Sequence, residues 1–139
     1  MQLANNVHKL ATAVHISEAR IQISNLRLRT YIGFNPEEKE KQQDVVVSAD
    51  IYYAADTAAT SDNQADALNY KMISKKMIDH VEHGRFQLLE KLTSDLRMIA
   101  TDSERVSHAE VRVEKPHALR FADSVSVTLS ASRCQVSSE

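Results

Sequence analysis

Two ionisable side chains stand where the local sequence would hold them still. Glu90 lies in Leu88-Leu-Glu-Lys-Leu92, at the first turn of a segment with helical periodicity. The helix dipole favours a carboxylate there, which accounts for it as end stabilisation. A carboxylate so fixed can also accept two parallel hydrogen bonds from an amidine-like edge. Lys115 ends an alternating segment directly before Pro116, whose missing amide stops a strand ladder. It reads either as a surface lysine at a strand end or as a proton-transfer group whose pKa partial burial would lower. On spacing alone, end stabilisation for Glu90 and a surface lysine for Lys115 are the readings that win.

Other chemistries find less support. His8, His15, His80, His83, His108 and His117 form no H-E-x-x-H or comparable zinc arrangement. His80 and His83 are three apart, but with no third ligand nearby a solvated helix face is expected. Cys134 is the single cysteine, so neither an intrachain disulfide nor a thiolate cluster can form, and an idle thiol is expected. Gly33 and Gly84 are the only glycines. Phosphate-cradling loops need several close together, so any phosphate would be held mainly by side-chain cations. The 139 residues suit one domain, with 42% hydrophobic and 26% charged residues. A net charge of −2 gives no electrostatic reason to expect nucleic acid or a membrane as partner. No signal-peptide core or transmembrane run is present, so a cytoplasmic setting is the expectation.

These residues need elements to position them. Ile21 and Ile23 alternate with polar residues, then Leu26 and Leu28 do so in the opposite parity, predicting a strand over Ala19–Ile32 with a bulge at Ser24–Asn25. Gly33 and Asn35-Pro36 mark a turn, and Glu37 to Lys41 a charged loop. A second strand runs from about Gln43 to Ala54, with Val45, Val47, Ala49, Ile51 and Tyr53 on one face. Asp56 to Ala67 is polar and alanine-rich, with a turn or cap at Asp62–Asn63. A helix fits Asn69 to His83, striped by Tyr70, Ile73, Met77 and Val81, and Gly84 is expected to end it in the left-handed conformation. A second helix spans about Leu88 to Thr101, striped by Leu89, Leu92, Leu96 and Ile99. Two strands follow, the third through Ala109, Val111 and Val113 and the fourth through Val125, Val127, Leu129 and Ala131.

The order ββααββ, with one apolar sheet face, predicts an α+β layer: a four-stranded antiparallel sheet with two helices on one face. Residues 1–18 read as a flexible extension, 19–133 as the domain and 134–139 as a tail. The sheet's two edges would leave amides and carbonyls unpaired, so subunits are expected to join edge to edge, closing a barrel around the serine-rich face.

Five groups of residues, in order over 19–133, resemble the dihydroneopterin aldolase family. They are Arg29-Thr-Tyr-Ile-Gly33 with Glu38 and Gln43; Ala67-Leu-Asn-Tyr70; His80-Val-Glu-His-Gly-Arg-Phe86; Leu88-Leu-Glu90-Lys-Leu; and Glu114-Lys115-Pro-His-Ala-Leu-Arg120. Lys115 to Ser126, Ala67 to Tyr70 and Arg85 to Thr93 resemble its epimerase branch. The resemblance implies the tunnelling fold (T-fold), typically a homo-octamer of two stacked rings with active sites between neighbouring subunits. It implies that Glu90 grips the 2-amino and N3 edge of a reduced pterin, beside the Leu89 backbone. Tyr70 would come from the adjacent subunit as a catalytic relay, with the Leu68 backbone and Asn69 as further pterin contacts. Lys115 would handle protons at the side-chain hydroxyls, and Glu38 and Gln43 would belong to a loop that closes on the substrate, Glu38 as a catalytic group.

The implied reaction uses no metal and no cofactor. Reversible retro-aldol cleavage of C1′–C2′ would invert C2′ of 7,8-dihydroneopterin triphosphate, giving the dihydromonapterin epimer. The alternatives are aldolase cleavage to 6-hydroxymethyl-7,8-dihydropterin and glycolaldehyde, and a non-catalytic pterin-binding relative. Arg120, His117 and Arg85 are the candidate cations for the triphosphate, against a solvated turn for Arg120.

Overall fold

Ile21, Ile23, Leu26 and Leu28 can serve one sheet face only if the chain shifts parity between them. In the computed structural model, which describes Ile16 and residues 18–134, the shift falls between Ile23 and Leu26, with Asn25 at φ 60°. The Ser48 hydroxyl accepts from the Asn25 amide at 3.1 Å, so the bulge keeps a partner. This strand, β1 (Ala19–Ile32), pairs antiparallel with β2 (Gln43–Tyr53). β2 pairs antiparallel with β4 (Val106–Pro116), and β4 with β5 (Ser124–Ser132).

The expected four antiparallel strands are present, but the sheet is mixed and has five. A two-residue strand, β3 (Arg85–Phe86), runs parallel to Tyr31–Ile32 and makes the order β3-β1-β2-β4-β5. Between β1 and β2, the segment expected as a charged loop winds into α1 (Pro36–Glu40). Proline at its first position and Glu38 reaching back to the Asn35 amide at 3.3 Å start that turn. The alanine-rich stretch forms α2 (Asp56–Ser61), ended by Asp62 at φ 53°, and a 3₁₀ turn (Gln64–Asp66) capped by Asn63.

The main helices are α3 (Tyr70–Glu82) and α4 (Leu89–Ala100). Ile73, Met77 and Val81 of α3 and Leu92, Leu96 and Ala100 of α4 are buried in one core with Val45, Val47, Ile51, Val111 and Val113 of the sheet. Each of these side chains larger than alanine stabilises the fold by roughly 1.5–3 kcal/mol through burial. Tyr70, expected on the α3 stripe, is 52% exposed.

Gly84 departs from expectation. It does not take a positive φ; Gly33 alone among the glycines does. A side chain at Gly84 would strike the Phe86 ring and come within 2.9 Å of the His80 carbonyl, so close packing is what selects glycine.

The expected extension lies almost wholly outside the described residues, although Glu18 accepts a hydrogen bond from the Ser107 hydroxyl at 2.9 Å. The tail beyond the exposed Cys134 lies outside them too. No helix among the described residues is long and apolar enough to cross a membrane.

Candidate active site

Lys115 and Glu38 meet although 77 positions separate them. The β4 ladder carries Lys115 to its penultimate position, and α1 turns Glu38 toward it. The Lys115 Nζ donates to Glu38 Oε2 in a short ion pair. Both side chains are mostly buried, at 13% and 18% exposure. Gln43, the first residue of β2, completes the cluster. Its Nε2 donates to the Ile32 carbonyl at 2.7 Å and to Glu38 Oε2 at 3.2 Å.

The backbone beneath this carboxylate has to be glycine. Gly33 sits at φ 126°, and a Cβ there would collide with the carboxyl group of Glu38. Its amide donates to the Phe86 carbonyl at 2.9 Å, which ties β3 to the cluster. The hydrogen bond from Lys115 holds the Glu38 carboxyl below the usual carboxylate range. Partial burial opposes that shift, and Gln43 and the Asn35 amide reinforce it. An ionised acceptor thus sits beside an ammonium donor, an arrangement suited to moving a proton on and off a bound hydroxyl without a net change of charge.

Glu90 opens α4 four residues after Phe86, so its turn starts from the sheet end that holds Gly33 and Glu38. Its side chain is exposed and forms no ion pair among the described residues. Leu89 beside it is half-buried.

Leu68, Asn69 and Tyr70 lie elsewhere, lining a groove with Asn63, Gln64 and Ala67. Asn69 caps α3 by accepting from the Met72 amide at 3.0 Å, and Tyr70 is the first helical residue. Arg105, just before β4, donates to the carbonyls of Ala65 and Ala67 at 3.1 and 3.0 Å. That fixes the groove at the start of β4, whereas Lys115 is ten residues further along. At about 3.3 Å per strand residue the two positions are roughly 30 Å apart. The axis of α3 agrees, since its twelve steps put Tyr70 about 18 Å from the Glu82 end that leads into β3. One protomer therefore holds the two candidate clusters at opposite ends.

The candidate phosphate cations divide. Arg85 is engaged: its guanidinium stacks 3.8 Å over the Tyr31 ring and donates to the Lys39 carbonyl at 3.1 Å. It straps the Glu38 turn to the sheet. His117 and Arg120 occupy the exposed β4–β5 turn, where His117 takes φ 62° and Arg120 lies 5.3 Å from the exposed Phe121 ring.

Sequence reasoning missed a polar contact between the main helices. His80 Nε2 lies 2.9 Å from Asp95 Oδ2, and Lys91 donates to Asp95 Oδ1 at 2.9 Å. His80 is thus committed to a buried carboxylate and is not simply part of a solvated face, while His83 stays exposed against the Asp79 carbonyl. The signal was Asp95 itself, a charged residue inside the apolar stripe of Leu92, Leu96 and Ile99.

Comparison with known proteins identifies the family. The sequence profile described as FolB, dihydroneopterin aldolase, matches residues 21–130. The chain is 54% identical over 115 residues to the dihydroneopterin triphosphate 2′-epimerase of Escherichia coli K12, covering 83% of this chain and 96% of that protein. It is 47% identical to the enzyme of the same name from Pseudomonas aeruginosa, covering 83% and 94%. The crystal structure of E. coli dihydroneopterin aldolase in complex with neopterin superposes with a TM-score of 0.77 at 26% identity, covering 81% of this chain and 98% of that one. The chain belongs to the FolB dihydroneopterin aldolase family.

Proposed function

We propose that this protein is a dihydroneopterin triphosphate 2′-epimerase working by reversible retro-aldol cleavage. The observation that carries the chemistry is the Glu38–Lys115 pair, a proton acceptor and donor held together by Gln43 and Gly33. The identity to the two epimerases supports the choice of substrate. In a 7,8-dihydropterin the C6=N5 imine adjoins C1′ and can receive its electrons. The pair takes the proton from the 2′-hydroxyl, the C1′–C2′ bond breaks, and the ring becomes an enamine beside a bound aldehyde. When the aldehyde turns over and C1′ adds to its other face, the proton returns and C2′ is inverted. Retention of the aldehyde separates this outcome from aldolase cleavage.

Binding follows from the two clusters. Glu90, with the Leu89 backbone, grips the 2-amino and N3 edge of the pterin. Leu68, Asn69 and Tyr70 of a neighbouring copy close over the ring, and Tyr70 relays protons. Gln43 and Arg85 hold Glu38 in place, while His117 and Arg120 meet the triphosphate. The open edge of β5 in one copy pairs with β1 of the next, closing the barrel of an octameric, metal-independent, cytoplasmic enzyme.

The test is incubation with 7,8-dihydroneopterin and, separately, its triphosphate, followed by chiral product analysis. Inversion of the triphosphate is expected. Predominant release of 6-hydroxymethyl-7,8-dihydropterin from the unphosphorylated compound would make the protein an aldolase instead.

A further inference from the structure

Helix α4 begins without the usual support. The residue before it is Leu88, which has no side-chain oxygen to cap the free amides, and no side-chain cap is formed. Yet this uncapped turn carries Glu90, the group read above as the pterin anchor. Another contact must hold it, and the polar contact between the helices is placed to do so. Asp95 is buried at 8% exposure, one turn beyond Lys91. One carboxylate oxygen accepts from Lys91 in the first turn of α4 and the other faces His80 on α3, each at 2.9 Å. The His80 ring packs 5.4 Å from the Phe86 ring, centroid to centroid. Phe86 in turn accepts from the amide of Gly33, the residue beneath Glu38. A continuous set of contacts therefore runs from Lys91 through Asp95, His80 and Phe86 to the proton-transfer pair.

We propose that Asp95 and His80 are positioning residues, which fix the first turn of α4, and with it Glu90, relative to Glu38 and Lys115. This rests on the reading of Glu90 as anchor. Neither residue touches substrate. Their effect is on the group that holds the ring: a loosened Glu90 gives up binding made alike in the ground and transition states, which raises KM and leaves kcat nearly unchanged. The contact does more than join two helices, because it reaches α4 at its uncapped first turn.

Two measurements on the full-length protein test this together: hydrogen exchange of the amides of residues 89–93, and KM and kcat for the pterin substrate. In Asp95→Asn, exchange in that turn is expected to accelerate selectively and KM to rise roughly ten-fold, with kcat within about two-fold. His80→Ala should behave likewise, and His80→Gln, whose amide nitrogen can still donate to Asp95, should restore most of the loss. Exchange rates unchanged in Asp95→Asn would show that Asp95 does not hold the turn. Faster exchange with unchanged KM would show that the turn has no positioning role. Either result overturns the proposal. Glu90→Ala isolates the underlying reading: if it leaves KM unaltered, the anchor assignment fails irrespective of exchange in Asp95→Asn.

Discussion

Glu38 stays ionised because Lys115 donates to it, and each residue makes the partial burial of the other tolerable. Lys115→Ala should cut turnover by about 10²- to 10⁴-fold, the usual contribution of an acid–base group, while the variant still assembles. Steady-state kinetics on folded material checks this, and full turnover would remove Lys115 from the mechanism. The same pair sets an acid limit on stability. The proton affinity of Glu38 is depressed in the folded state, so its contribution is complete above the ordinary glutamate range and is lost as the pH falls through the lowered folded value. Glu38→Gln has no such group. Between about pH 6 and about pH 3 its melting temperature should therefore fall less than that of the unaltered protein. Arg120 supplies a test of substrate choice. Arg120→Ala should raise KM for the triphosphate several-fold and leave that for unphosphorylated dihydroneopterin nearly unchanged; equal losses would deny it the phosphate role.

The long elements were readable because their periods are long enough to count. Period-two alternation marked β1, β2, β4 and β5, and the parity change in β1 located its bulge. The helical stripes marked α3 and α4. What escaped was too short to have a period, or depended on packing. Two-residue β3 carries no alternation, and it exists because Gly33 and Phe86 share a hydrogen bond. The start of α1 was in fact encoded, since Asn35-Pro36-Glu37-Glu38 has a cap, an N1 proline and an acid at the third helical position. Gly84 answers to the ring of Phe86, which no local pattern reveals. Glu38 and Lys115, which distant pairing brings together, were chosen only through the family resemblance and not as a pair, whereas Asp95 was not named at all. Gly33 offers the test at this scale. Gly33→Ala combines a positive φ with a collision against Glu38, so a loss of about 1–3 kcal/mol in stability is expected by thermal or denaturant unfolding, with lowered activity in the molecules that remain folded.

For the molecule as a whole, the arrangement of β4 decides what one copy can do. Its start anchors the Leu68–Tyr70 groove through Arg105, and its end presents Lys115. The two clusters lie too far apart to meet within one protomer, and the proposed ring of copies would bring unlike ends together. The most direct measurement is subunit complementation between two separately inactive variants, Lys115→Ala and Tyr70→Ala. When they are unfolded, mixed in equal amounts and refolded together, sites that draw the lysine from one copy and the tyrosine from another should restore activity to about a quarter of the original. If the mixture stays as inactive as its parts, although each variant alone assembles normally, the catalytic groups do not come from different subunits and the account is wrong.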